Sequence, residues 1–298
     1  VPVLTALIKS GAYVLLALGF FAFLWTSYGP EAERHTRALE FLTGYVIEWS
    51  LSVDNIFVFV LIFAKFGVPP QYQHRVLFWG ILGAVILRGV MIALGVTLIN
   101  RFDWIVYVFG ALLIYTAVKM LLLRHETVDP AENPLVRLAQ RWVPVTDSYH
   151  GSHFFARVDG KRVATPLFLA LLLVESSDVM FAVDSIPAVF AVTRDPFIVF
   201  TSNIFAILGL RSLYFVLAGY VDKFRYLKSA LVFVLAYVGV KMMLSNHYHI
   251  PGEVSLGVIL GILAVGIFAS IKGAAKDPVS LKSPLDPDSD QDSESGLK

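Results

Sequence analysis

Eight stretches of about twenty residues, each almost free of charge, take up most of this 298-residue chain. They lie near 4–26, 41–64, 76–98, 104–123, 166–192, 197–219, 228–246 and 254–272. A bilayer's hydrocarbon core takes about 20 apolar residues to cross as a helix, and it offers backbone N–H and C=O groups no water. The ten-residue alternation of a membrane barrel is absent. The chain is therefore expected to be an all-α polytopic membrane protein with about eight spans. The composition agrees, at 57% hydrophobic, 16% charged and a mean hydropathy of +0.70. Zero cysteines exclude disulfides, thiolate ligands and thiol redox chemistry within these residues. A net charge of +1 singles out no partner beyond the lipid bilayer, and no nucleic-acid role is expected.

Lysines and arginines in the loops set the expected orientation. Residues 124–165 hold Arg124, Arg137, Arg141, Arg157, Lys161 and Arg162, and residues 220–228 hold Lys223, Arg225 and Lys228. The opposite side holds Arg34, Arg37, Arg101 and Arg194. The basic side is read as cytoplasmic, which puts residue 1 and the C-terminus in the cytoplasm. The chain opens at Val1, so upstream residues, another helix among them, are expected to precede it.

Spans 2–4 and 5–7 repeat one pattern. EWSLSVDNIFVF from Glu48 and DVMFAVDSIPAVF from Asp178 both place Val-Asp-(Asn or Ser)-Ile so that an acid is followed six residues later by a second acid. The next span carries Leu-Arg (Arg88, Arg211), and the third ends in Lys-Met (Lys119, Lys241). Three spans per copy is an odd number, so the copies are expected to insert inverted, as in many secondary transporters with a site at the midplane. The expected organisation is an N-terminal span and loop (1–40), a first three-helix repeat (41–123) and a cytoplasmic loop (124–165). A second repeat (166–246), a last span (247–275) and a disordered tail (276–298) follow. Within the loop, PLVRLAQRWV (134–143) reads as an interfacial helix, and FFARVDGKRVATP (154–166) as a hairpin turning at Asp159-Gly160.

Five acids (Glu48, Asp54, Glu175, Asp178, Asp184) face four bases (Arg88, Lys119, Arg211, Lys241) inside the spans, leaving one excess negative charge. A carboxylate near a bilayer centre costs about 2.5–3.5 kcal/mol on insertion scales. A purely structural reading pairs every charge as glue between helices. The excess charge and the clustering favour a cation site instead, with Arg88 and Arg211 orienting the carboxylates and Lys119 and Lys241 snorkelling. Positions six apart are rotated by about 240°, so Glu48 and Asp54 do not share a helix face, nor do Asp178 and Asp184. Either the acids of one helix serve different layers, or the helices break near Asp54 and Asp184. Pro187 would free the Val183 carbonyl beside Asp184. Carboxylates, Asn55, the hydroxyls of Ser50, Ser52, Ser176, Ser177 and Ser185, and backbone carbonyls form an all-oxygen set suited to Mn²⁺, Ca²⁺ or Mg²⁺. Asn203 is open to either hydrogen bonding between helices or a place in the site. No intramembrane His, Cys or Gly-Ser-Gly constellation points to an enzyme.

FLTGYVIEWSLSVDNIFVF from Phe41 and LVESSDVMFAVDSIPAVFAVTRDPFIVFTSNIFAILGLRSLYF from Leu173 resemble the TerC family of integral membrane proteins, and within it the Alx branch. The resemblance covers about residues 38–272 and implies membership of the LysE-like exporters and a multi-pass plasma (inner) membrane location. It further implies manganese export, a link to tellurite resistance, and a metal site drawn from Glu48, Asp54, Asn55, Glu175, Asp178, Asp184 and Ser185. Proton exchange at the same carboxylates is the coupling expected, with no resident cofactor. Two rivals are carried beside this reading, a non-transporting membrane scaffold and an exporter of cationic amino acids.

Overall fold

The structure is a computed structural model that describes residues 3–122, 141, 144–146, 148–158, 160–217, 225–245, 247–248 and 250–276, with the backbone alone at 3, 211, 225–228 and 273–276. Among them run eight helices and one hairpin: α1 (Val3–Ser27), α2 (Arg34–Lys65), α3 (Pro70–Arg101), α4 (Ile105–Leu122), β1 (Phe155–Val158), β2 (Lys161–Ala164), α5 (Pro166–Phe190), α6 (Pro196–Leu217), α7 (Arg225–Leu244) and α8 (Gly252–Lys276). Six of these helices (α1 to α5 and α8) are long and apolar enough to cross a bilayer. The apolar stretches of the other two, at Pro196–Leu210 and Ser229–Leu244, are shorter. Each of the eight expected stretches coincides with a helix among the described residues, and six of these helices qualify as crossings by length and apolarity.

Local chemistry explains the boundaries. Pro70, Pro166 and Pro196 each open a helix, where a missing N–H costs nothing. α2 ends in a Schellman turn. Val68 N–H reaches back to the Phe63 carbonyl at 2.9 Å and Gly67 N–H to the Ala64 carbonyl at 3.1 Å. Gly67 sits at φ +58, a conformation that glycine adopts without penalty. Pro187 lies inside α5 without breaking it. It stands three residues before the helix end, so it removes one hydrogen bond and leaves no length beyond it to kink. Of the two alternatives for the six-residue spacing, breaks near Asp54 and Asp184 do not occur, since both acids lie within continuous α2 and α5.

The helices pack in exchanged pairs, α2 on α6 and α3 on α5, with α2 also on α5, α3 on α6 and α4 on α7. Contacts along α2 and α6 advance together, from Gly44 against Ser202 to the edge-on rings of Phe63 and Tyr214 at 5.6 Å, so the two run parallel. Along α3 and α5, Gly80 meets Val174, Gly83 meets Glu175 and Gly95 meets Phe190, again in parallel. Only five residues join α5 to α6, so these two are antiparallel, and α2 therefore opposes α5. α4 and α7 cross where Gly110 and Gly239 bring their backbones together; a Cβ at Gly239 would lie 3.0 Å from the Gly110 oxygen. α1 flanks α2 and α6, and α8 flanks α7 and α2.

The expected hairpin forms, pairing Phe155 with Ala164 and Val158 with Lys161, and Gly160 turns it at φ +77. The segment before it covers the α2–α3 turn. The Tyr149 hydroxyl donates to the Phe66 carbonyl at 2.5 Å, and Arg75 donates to Ser152 at 2.9 Å while lying over the Phe154 ring. Apart from Arg141, the expected interfacial helix at 134–143 lies outside the described residues, as does the tail from 277.

Candidate functional site in the helix bundle

Arg88, midway along α3, is 2% exposed and is held by four partners from three other helices. Its Nε and Nη2 donate to the two carboxylate oxygens of Asp178 on α5, at 3.0 and 2.9 Å. Its Nη1 donates to Glu48 on α2, to Asn203 Oδ1 on α6 at 2.9 Å and to Ser185 Oγ on α5 at 3.3 Å. Asn203 closes the ring by donating to the second Glu48 oxygen at 3.0 Å. Glu48, Asp178, Ser185 and Asn203 are all at most 3% exposed. The fork geometry of a guanidinium makes this possible, since its five donors lie in one plane and can serve both oxygens of the Asp178 carboxylate while Nη1 is shared among three further acceptors. Two carboxylates against one guanidinium leave the cluster with one negative charge.

Arg88 thus bonds an acid of α2, earlier in the chain, and one of α5, later in it. Asn203, left open between two readings above, belongs to the cluster. Of the remaining predicted acids, Glu175 lies one turn before Asp178 on α5, close enough for the two carboxyl groups to interact. Asp54 and Asp184 lie about 9 Å of helical rise beyond Glu48 and Asp178. Because α2 and α5 are antiparallel, they are displaced in opposite directions. Asp184 is half-buried, accepts a hydrogen bond from Thr116 on α4 at 2.8 Å, and has Lys119 as its counter-charge. Asp54 is half-buried. Glu175 is half-buried and makes no hydrogen bond or ion pair among the described residues. Its carboxylate fills a notch at Gly83 that a Cβ would occupy. The Arg211 side chain lies outside the described residues. Lys241 has Glu40 as its counter-charge, and Glu40 in turn bonds Thr193 in the α5–α6 loop. Glu40 and Thr116 were not singled out from the sequence. An acid just ahead of the second stretch, and a lone threonine in YTAVKM, carried no signal beyond polarity.

The seven predicted ligands do not converge on one centre. Among the described residues, no three of His, Cys, Asp and Glu come together as a metal-holding group. The reason is plain in the geometry: the Arg88 guanidinium fills the space between Glu48 and Asp178. The hydroxyls of Ser50 and Ser177 donate to their own helices at Val46 and Leu173. By contrast, Ser52 Oγ and Asn55 Oδ1 are buried without a hydrogen-bond partner among the described residues. A narrow cleft lined by Phe59, Leu77, Ala84, Val174 and Leu210 reaches the cluster, and Asp178 is its one polar wall.

The chain is similar to membrane proteins of several bacteria. It is 55% identical over 271 residues to an uncharacterized membrane protein of Myxococcus xanthus, covering 91% of this chain and 83% of that one. It is 51% identical over 256 residues to a protein of Escherichia coli K12 that bears the provisional name membrane-bound redox modulator Alx, covering 85% and 80%. A membrane protein of Rickettsia bellii is 42% identical over 266 residues, covering 89% and 86%. No solved structure matches the chain. The pattern described as Integral membrane protein TerC family matches residues 33–277, most of the sequence and all of the Arg88 cluster, and the chain belongs to that family.

Proposed function

We propose that this protein exports a divalent cation, Mn²⁺ foremost, from the cytoplasm across the plasma (inner) membrane, by alternating access of two inverted three-helix repeats. The observation that carries the proposal is the Arg88 cluster, in which buried carboxylates of both repeats meet one guanidinium and retain a negative charge. A buried excess charge calls for a mobile positive partner. Around it the donors are oxygens, the preference of hard divalent ions. Arg88 is then a resident substitute for the cation. A metal ion arriving through the cleft reaches Asp178 and competes with the guanidinium, which keeps Glu48 and Asn203. The exchanged packing of α2 with α6 and α3 with α5 supports the inverted repeat, because it makes each repeat a wall of the other's site. Protons are the counter-ions that the same carboxylates can carry in return. The redox name borne by the Escherichia coli relative has no thiol to act through here, since the chain has no cysteine.

A second reading, a non-transporting membrane scaffold, is favoured by the absence of a preassembled metal group among the described residues. Efflux of radiolabelled manganese from proteoliposomes separates the two. Loss of efflux in Asp54→Asn/Asp184→Asn, with folding intact, supports transport. Efflux that is unchanged in the variant keeps transport and makes those two acids structural, whereas efflux from the parent no faster than from protein-free liposomes favours the scaffold.

A further inference from the structure

On α2, Glu48, Ser52, Asn55 and Phe59 fall within a stripe about 60° wide at 100° per residue. Glu48 at one end bonds Arg88, and Phe59 at the other lines the cleft that reaches Asp178. Between them Ser52 and Asn55 are 1% and 2% exposed, and the Oγ of one and the Oδ1 of the other meet no donor among the described residues. A buried oxygen without a donor typically costs about 1–3 kcal/mol, so two on one stripe ask for a positive or donating guest. The second repeat shows what such a position holds. Ser185 occupies in Val-Asp-Ser-Ile the place of Asn55 in Val-Asp-Asn-Ile, and its hydroxyl takes a guanidinium nitrogen at 3.3 Å. One copy of the motif meets a cationic group through its third residue, and the other leaves the same position open.

We infer that Ser52 and Asn55 form a neutral-oxygen subsite for a hard divalent cation, placed one and two turns along α2 from Glu48. This rests on the transport reading above and adds to it a place where selectivity is set. Neutral oxygens replace part of a hydration shell without holding the ion as tightly as a carboxylate does, so the ion can move on. They also favour hard cations over Zn²⁺ and Cd²⁺, which thiolates prefer.

The cysteine-free chain makes the test direct. Ser52→Cys and Asn55→Cys each create a single thiol within these 298 residues. In proteoliposomes, Mn²⁺ should slow labelling of either thiol by a small membrane-permeant reagent at least tenfold. The ratio of Cd²⁺ to Mn²⁺ transport should rise at least tenfold over the parent's. Labelling at the same rate with and without Mn²⁺, together with an unchanged ratio in both variants, overturns the subsite. If the parent carries Mn²⁺ while this happens, the transport reading stands. If the parent carries no Mn²⁺, it is the transport reading that falls. Ser52→Cys changes one atom in a buried side chain, and size-exclusion profiles of both variants confirm that the folded protein is being tested.

Discussion

Replacing Arg88 by methionine removes a side chain of similar reach and takes every donor from the centre of the bundle. Glu48 and Asp178, 1% and 3% exposed, are then left facing one another with Asn203 and Ser185 as their remaining neighbours. The cluster goes from one negative charge to two. Leaving a buried ion without its partner costs about 3–5 kcal/mol. At about 2–4 °C per kcal/mol, that is a fall of roughly 6–20 °C in the midpoint of thermal unfolding in detergent. Asp178→Asn acts in the opposite direction on charge: it keeps the shape, leaves Arg88 and Glu48 as a neutral pair, and should cost less than Arg88→Met. The double variant Arg88→Met/Asp178→Asn returns the cluster to one negative charge and should be more stable than Arg88→Met alone, with a coupling of up to about 3 kcal/mol. Fluorescence-detected size exclusion after heating measures all three. An Arg88→Met protein within about 1 kcal/mol of the parent would refute the reasoning, because the cluster would then not depend on its guanidinium.

Two further predictions concern the frame around the cluster. Gly239→Ala places a Cβ 3.0 Å from the Gly110 oxygen and 2.9 Å from Ile114, which should cost about 1–3 kcal/mol by heat-stability assay, whereas Gly257→Ala, with open space around it on α8, should be neutral or slightly stabilising. Tyr149→Phe removes the hydrogen bond to Phe66 and should expose the segment before the hairpin to protease, at a cost of about 1 kcal/mol. Burial pushes the Tyr149 hydroxyl above the usual tyrosine value of about 10, so its contribution is complete below that pH and is lost as pH rises through the raised value. Proteolysis of the parent should therefore accelerate in that alkaline range, and proteolysis of the phenylalanine variant should not.

Hydropathy made the helices legible, because a bilayer imposes one length and one polarity on every crossing, and Gly160 and its flanks announced the hairpin. The six-residue spacing of the acids was equally informative: it forbade a shared face, and the two acids of each helix do lie in different layers. Pro187 misled, since a proline within one turn of a helix end has nothing left to break. Convergence was the part that composition could not supply. A count of five acids and four bases is silent on whether a guanidinium will stand between two of the carboxylates. That depends on the glycines of α3, at 80, 83 and 95, which let α5 approach closely enough for Arg88 to reach Asp178. Asn203 was visible only as a polar residue in an apolar stretch, and its partner lies 155 residues earlier.

The packing of α2 on α6 and α3 on α5, far apart in the chain, sets a schedule for biogenesis. Glu48 emerges 40 residues before Arg88, and Arg88 emerges 115 residues before Asn203. At about 5–20 residues per second of synthesis, the half-built cluster waits roughly 6–23 s at the insertion machinery before α5 and α6 complete it. Until Asp178 emerges, 90 residues after Arg88, Glu48 and Arg88 have only each other among the cluster residues. A ribosome stall placed after residue 123 would hold the nascent chain in that state, and the second half, supplied as a separate polypeptide, would have to arrive while the insertase still shields the pair from lipid.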